Sequence, residues 1–307
     1  YRESENPDTP TDATPENSTA VKLLKEELNI NLIYDWIVNA DQYSQKFGAE
    51  LAAGNVPDIV MLGNNDFEDL TSQGGLLDLT EAYEMYTCPD LENIYNFDGN
   101  FINVGKKDGK LYGLPVGSDP AQMTSQMYYD MNQLKDVGIT SAEQLPKTIE
   151  EFEALCDKLM EATGGPVLPA CKNYFGAQLG DFTPFFHAYE TWVGGWIDNN
   201  GTLEYAGISE KNKDVLTKLN EWYNKGYFKK DFAAYDIWAA DSQVVSDIVA
   251  GKYAIVPGSW WIPNWPLNSN KVEHPEADWV VGPNLSLDGE QPAILIDRYP
   301  VNSFIGV

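Results

Sequence analysis

The chain is short of positive charge. Its 307 residues carry 20 Lys and Arg against 47 Asp and Glu, a formal net charge of −27. Phosphate recognition draws most of its affinity from Lys and Arg, which excludes nucleic acid as a working partner. Histidine is rarer still. With only His187 and His274, a His-built metal site or a His-dependent triad has almost no raw material. Three cysteines, Cys88, Cys156 and Cys171, fall at no metal-ligand spacing, and an odd number argues against a disulfide framework. They read as buried or free thiols, with one Cys156–Cys171 bridge as the alternative. No apolar run nears the roughly 18 residues that span a bilayer. The P-loop motif, GxGxxG after a strand, HExxH, CxxC and GxSxG are also missing, and the chemistries that lean on them go with them. No cofactor and no metal is expected.

What is present is a globular composition, with 43% apolar residues, at a length where one core has usually stopped growing and two lobes are the prior. The chain opens on Tyr1 with no charged segment leading into an apolar one, and reads as processed or trimmed. A polar, Pro/Thr-rich stretch precedes a helix capped by Asn17 or Ser18, along which Val21, Leu24 and Leu28 recur at helical spacing. INLIYDWIV then reads as a strand, Gln42 to Ala53 as a helix, DIVML as a short strand, and DFEDLTSQ as a helix stopped by Gly74-Gly75. Asp108-Gly109 lies between two β-prone runs and marks a tight turn.

A second α/β series starts at QMYYDMNQLKDVGI and includes the helix TIEEFEALCDKLMEA and the extended PVLPA. Farther on, a helix carries Val215, Leu219 and Trp222 on one face with Gly226 as its stop. SQVVSDIVAGKYAIVPG reads as helix, glycine cap and buried strand, and the final ILIDRYPVNSFIGV as a strand with nothing to cover it. Helices alternating with short apolar strands predict a parallel α/β sheet, whose ligands sit beyond the carboxyl ends of the strands.

Acidic side chains are too many for any two to be singled out as a catalytic pair, and most read as solvated surface. DNNG at Asp198 to Gly201 reads as an ordinary turn, because the glycine and glutamate of a calcium loop are not in place. Tryptophan is the sharper signal: Trp238, Trp260, Trp261, Trp265 and Trp279 crowd one region, and Trp192 and Trp196 form a second pair. Trp222 and Trp279 read as core. Trp260 and Trp261 follow the strand YAIVPG where it hands over to a loop. Side chains alternate in an extended segment, so one of the pair is expected to face a ligand and the other to pack inward. An indole at a cleft offers a flat apolar face and an edge N–H, which suits a sugar ring.

Several blocks, in order and spacing over nearly the whole chain, resemble the extracellular solute-binding proteins of ABC importers, in particular the sugar-type family 1. They are YSQKFGAELAAGNVPDIVML, DFEDLTSQGGLLDLT, DGKLYGLPVGSD, MYYDMNQLKDVGI, PKTIEEFEALCDKL, LTKLNEWYNKGYFKKDFA and IVAGKYAIVPGSWW. The resemblance implies a type II periplasmic-binding-protein-like α/β fold of two lobes with a hinge and a ligand cleft. The N-lobe would be residues 1–117 completed by 292–307, the C-lobe 122–290, and the hinge near 117–122 and 290–294. The chain departs from the family at both ends, lacking the usual first strand and the C-terminal helices.

Carried over by position, the implied ligand contacts are Trp36, Asn64, Asn65, Asp66, Ser118, Asp119, Phe185, Trp192, Trp260 and Trp261. Asp66 and Asp119 would each accept hydroxyl hydrogen bonds; the plainer readings are a helix N-cap for Asp66 and a turn residue for Asp119. The implied function is capture of a small solute, an oligosaccharide or other carbohydrate, without catalysis. Lobe closure inverts a 99:1 open preference only if the closed state binds about 10⁴-fold better, on the order of 5.5 kcal/mol. Permease subunits of an importer are the implied partners of a monomer, lipid-anchored outside the cell or periplasmic in a Gram-negative. The rival functions are a secreted glycoside hydrolase, which needs two carboxylates about 5–9 Å apart, and a sensor or adhesin subunit on the same fold.

Overall fold

The computed structural model describes residues 14–38, 42–96, 101–117, 125–172, 179–199, 201–239, 241–290, 292 and 301–307. In chain order the elements begin with α1 (Thr19–Leu28), α2 (Tyr43–Ala52), β1 (Val60–Leu62), α3 (Asn64–Gln73), α4 (Thr80–Tyr86), α5 (Pro89–Tyr95), β2 (Lys106–Lys107), β3 (Lys110–Leu111) and β4 (Leu114–Gly117). They continue with β5 (Ser125–Asp130), α6 (Met131–Leu134), α7 (Ile149–Thr163), α8 (Thr183–Ala188), β6 (Trp196–Asn199), β7 (Thr202–Tyr205) and α9 (Glu210–Lys225). The last are α10 (Gln243–Val249), β8 (Ile255–Ser259), α11 (Leu267–Glu273), β9 (Trp279–Val281) and β10 (Val301–Gly306). Two compact units result, Tyr1–Gly117 with Val301–Val307 and Ser118–Pro300.

In the first unit the terminal strand is the centre of the sheet. β10 lies between β1 and β4 and is antiparallel to both, with Leu62 and Pro115 each opposite Phe304. This corrects two expectations, a parallel sheet and an uncovered last strand. Alternation along a strand reports which face is buried but not the direction of its neighbour. Pro115 has no N–H to give a ladder and accordingly sits on an edge strand. Phe304 packs on Phe67 of α3, ring centroids 3.9 Å apart, within a core that includes Phe47, Leu62, Leu79, Tyr95, Phe101 and Leu111.

INLIYDWIV is not a strand: residues 30–38 join no sheet, and Ile33 is 75% exposed. β-branched composition without a partner ladder does not make a strand. Two glycine-dependent features hold the β2–β3 corner. Asp108 (φ 52°) and Gly109 (φ 80°) form the expected tight turn with both central residues left-handed. Gly105 passes so close to the returning chain that an added Cβ would lie 2.0 Å from the Gly113 carbonyl oxygen. Gly105→Ala is therefore expected to lose about 1–3 kcal/mol. Gly48, exposed within α2 with open space around it, should gain about 0.5–1 kcal/mol on the same change. Urea unfolding of the two variants checks the opposite signs.

The second unit is built on β5, central between β8 and β9 and again antiparallel to both. Met127, Tyr128 and Tyr129 are buried, as befits a strand covered on both faces. Asp130 ends β5 as a fully occupied connector. Its Oδ1 accepts from the backbone N–H of Asn132 and Asp278, and its Oδ2 from the Gln133 amide. α7 opens with a reciprocal Thr148–Glu151 capping box and stops at left-handed Gly164. α9 buries Val215, Leu219 and Trp222 and stops at Gly226 (φ 91°), as the stripe predicts.

Residues 167–170 of PVLPA are buried, but the stretch belongs to no strand. The cysteines are all free thiols, Cys88 exposed and Cys156 and Cys171 buried, which removes the Cys156–Cys171 bridge. Among the described residues no helix is long and apolar enough to cross a membrane.

Candidate solute-binding surface

β8 is buried from Ile255 to Ser259, and its end is pinned from both sides. The Tyr128 hydroxyl donates to the Ser259 carbonyl at 2.9 Å, and burial pushes that phenol up to about 12. Across the ladder from Ser259, the Ser125 hydroxyl donates to the Asp181 carboxylate at 2.5 Å. Asp181 also accepts from the Thr183 N–H and hydroxyl at the start of α8. The chain then coils rather than extending. Ile262 N–H returns to Ser259 O, and Trp265 N–H to Trp261 O and Ile262 O. This places Ile262 in the core and Trp261 and Trp265 one turn apart on the same side.

Trp238 completes that surface. Its ring lies nearly parallel to Trp265 (7°) and tilted to Trp261 (36°), and the three centroids are mutually 5.9 Å apart. The loop that carries it is fixed locally: Trp238 N–H donates to Asp236, which pairs with Lys172. The Lys172 hydrogen bond holds the Asp236 carboxyl below the usual range. Behind the loop, buried Asp247 of α10 takes Lys229 and Lys252, each at 2.7 Å. Burial alone would raise Asp247, but hydrogen bonds from Lys229, Lys252 and Gln243 outweigh it and keep its pKa lowered. The result is a three-indole wall with Trp238 61% exposed, and Trp260, at the end of β8, 43% exposed.

The expected residues divide as follows. Trp260 and Trp261 do differ in burial, but through a helical-type turn and not through strand alternation. Asn64, Asn65 and Asp66 open α3 and are exposed. Gly63 occupies the N-cap, so Asp66 is not the cap but a first-turn acid, favourably placed against the helix dipole. Trp36 is half-buried against the first unit's core, its ring 5.3 Å from Tyr43. Trp192 is half-buried, laid on Gly195 so closely that a Cβ there would sit 2.0 Å from its ring.

Phe185 is a correction. It is 1% exposed and wedged among Phe152, Phe182 and Trp222, because every residue of α8 is buried; it has no surface to offer a solute. Ser118 and Asp119 lie outside the described residues. Trp279 is half-buried, its indole N–H donating to Asn270. Of DNNG, Asp198 and Asn199 end β6, and the Gly201 N–H just before β7 donates to Asp198 at 2.6 Å. Trp238, absent from the expected contacts, is brought into the indole wall by the structure; only the local density of tryptophan pointed to it.

A profile of the bacterial extracellular solute-binding protein family matches residues 11–290. The chain belongs to that family. The maltodextrin-binding protein MdxE of Bacillus subtilis (strain 168) is 24% identical over 213 residues, 68% of this chain and 44% of that protein. The family member here thus spans less than half the length of that curated relative. The S. pneumoniae ABC-transporter substrate-binding protein FusA, solved with fructo-nystose, superposes with a TM-score of 0.70 at 14% identity, over 95% of this chain and 60% of that one. The alginate-binding protein AlgQ2 superposes with a TM-score of 0.64 at 15% identity, over 86% and 54%. The fold is the periplasmic solute-binding type, mixed α/β, as the block resemblance implies.

Proposed function

We propose that this chain is the solute-capturing part of an ABC importer and that its solute is a carbohydrate, taken up by lobe closure without catalysis. The observation that carries the reading is Trp260, exposed at the end of buried β8 and next in sequence to Trp261 of the Trp238–Trp261–Trp265 wall. Flat indole faces with N–H groups at their edges match the apolar faces and hydroxyl rims of sugars. Support also comes from relatives whose names give maltodextrin, fructo-nystose and alginate as what they bind. The division of the chain after Gly117 and before Val301 supports two lobes, with one hinge crossing in 117–122 and the other nearer Val301 than the 290–294 that the resemblance implies. Permease partners, a lipid anchor outside the cell and a monomeric state belong to the same proposal.

Calorimetry with maltodextrins, kestose-type fructo-oligosaccharides, alginate oligomers, amino acids, peptides and polyamines tests it. The carbohydrate reading fails if amino acids, peptides or polyamines bind while no sugar does. Trp260→Ala is expected to weaken sugar binding about 10- to 100-fold, roughly the value of one buried aromatic face, with an unchanged melting temperature. Trp261→Ala should lower the melting temperature instead, because Trp261 contacts both other indoles of the wall. The bound sugar should be recovered intact after prolonged incubation.

A further inference from the structure

The hairpin β6–β7 carries a second exposed aromatic pair that the reading above leaves without a role. Trp196 and Tyr205 stand directly opposite each other across the ladder, ring centroids 5.7 Å apart at 65°. Both are open to solvent, at 65% and 41%. The Tyr205 ring is held against the backbone: a Cβ on Gly207 would lie 2.6 Å from it and 2.8 Å from the Val193 carbonyl oxygen. Alternation puts Asp198 and Leu203, the pair two positions along, on the same face. Asp198 turns Oδ1 to the Gly201 N–H, and among the described residues its other oxygen takes no hydrogen bond. Gly207, under the Tyr205 ring, also borders an open depression of about 590 Å³ lined by Ser209, Lys213, Leu216, Thr217 and Asn220.

We infer that this hairpin face and the adjoining depression form a second carbohydrate-binding surface on the Ser118–Pro300 unit, selective for neutral glycans. Size argues for a sugar over a protein partner. Two four-residue strands give a strip about 13 Å long and about 10 Å wide, on the order of 130 Å² and far below the roughly 800 Å² per partner of a stable protein interface, yet long enough for two or three sugar rings. Charge argues for neutral glycans over acidic ones. Asp198 on the strip's face and Glu210 and Glu221 at the depression stand against Lys213, with Glu221 paired to Lys218, on a chain of net charge −27. The inference rests on the carbohydrate reading of the chain. It adds a place where a long glycan is held while a shorter piece is captured at Trp260.

Affinity electrophoresis through gels containing amylopectin, inulin or alginate, run alongside calorimetry with short oligosaccharides, tests it. The expected result is retardation in at least one neutral gel and none in alginate. Trp196→Ala and Tyr205→Ala should each weaken that retardation at least fivefold, while Trp196→Phe keeps most of it. Oligosaccharide affinity should stay within twofold in all three variants, whose folding is checked by melting. Trp260→Ala should do the reverse, losing oligosaccharide affinity and keeping retardation.

No retardation in any neutral gel overturns the inference, as does retardation unchanged in both alanine variants. A matching loss of oligosaccharide affinity in Trp196→Ala also overturns it, by making Trp196 part of the first site. Self-association that disappears with Trp196 would assign the face to a second copy and overturn it too. Should calorimetry find no sugar for the Trp260 surface while the gels still depend on Trp196, the first reading fails and the second site stands.

Discussion

Trp222→Ala is expected to cost about 3–5 kcal/mol, the usual range for emptying a large aromatic site in a core. Trp222 has no exposed surface and is met by Phe185 edge-on at 4.8 Å, Phe152 at 5.5 Å and Tyr227 at 5.8 Å. These partners come from α8, from α7 and from the segment just after α9, so the indole is the common contact of three separate chain segments. The surroundings cannot collapse easily. Phe152 and Phe185 are themselves fully buried and tilted against each other at 5.2 Å, and α9 is fixed on the same face by Val215 and Leu219. Trp222→Phe retains a ring and should cost less than half as much. Urea unfolding followed by far-UV circular dichroism gives both values. A loss below about 1 kcal/mol for the alanine variant would mean that the site refills, and that the aromatic cluster is not what holds α7, α8 and α9 together.

Local features were readable because local rules decide them. The 215–219–222 stripe and Gly226 gave α9 its face and its end; Asp108-Gly109 gave the turn. Strand pairing was not readable for the opposite reason. β10 finds β1 across more than two hundred residues of chain, and nothing in VNSFIG says whether its neighbours run with it or against it. The strand expected over INLIYDWIV fails on the same ground, since its residues favour a ladder but have none to join.

The candidate site divides in the same way. The exposed position of Trp260 was legible because a buried strand ends one residue before it, whereas that of Trp238 depends on a loop closed by Lys172 and Asp236, 64 positions apart in sequence. Phe185 was misjudged because position in a motif does not reveal burial. TPFFHA places both of its phenylalanines inside, and the carry-over from family position had no means of seeing that.

Acid should destabilise the protein through one identifiable group well before its carboxylates protonate. His187 is 3% exposed on α8, and its Nε2 has no hydrogen-bond partner among the described residues. Burial pushes its imidazole down to about 4 from an ordinary 6.5. The unfolded chain therefore binds a proton below pH 6.5 that the folded chain refuses until about pH 4, so stability is complete above 6.5 and falls as the pH drops through that window. The full difference is about 3 kcal/mol, of which about 2 kcal/mol is lost by pH 5.

The carboxylates with lowered values, Asp78, Glu153 and Asp247 among them, start from ordinary values of 3.8 or 4.5. Their contribution is lost only at lower pH, and the range from 7 to 5 isolates the histidine. His187→Gln and His187→Phe remove the titrating group. Whatever either substitution does to stability at pH 7, unfolding free energies measured in urea should fall less between pH 7 and pH 5 in the variants than in the native chain, by about 2 kcal/mol. Equal slopes in all three proteins would mean that His187 takes up its proton inside the fold, which requires an acceptor that its buried position does not supply.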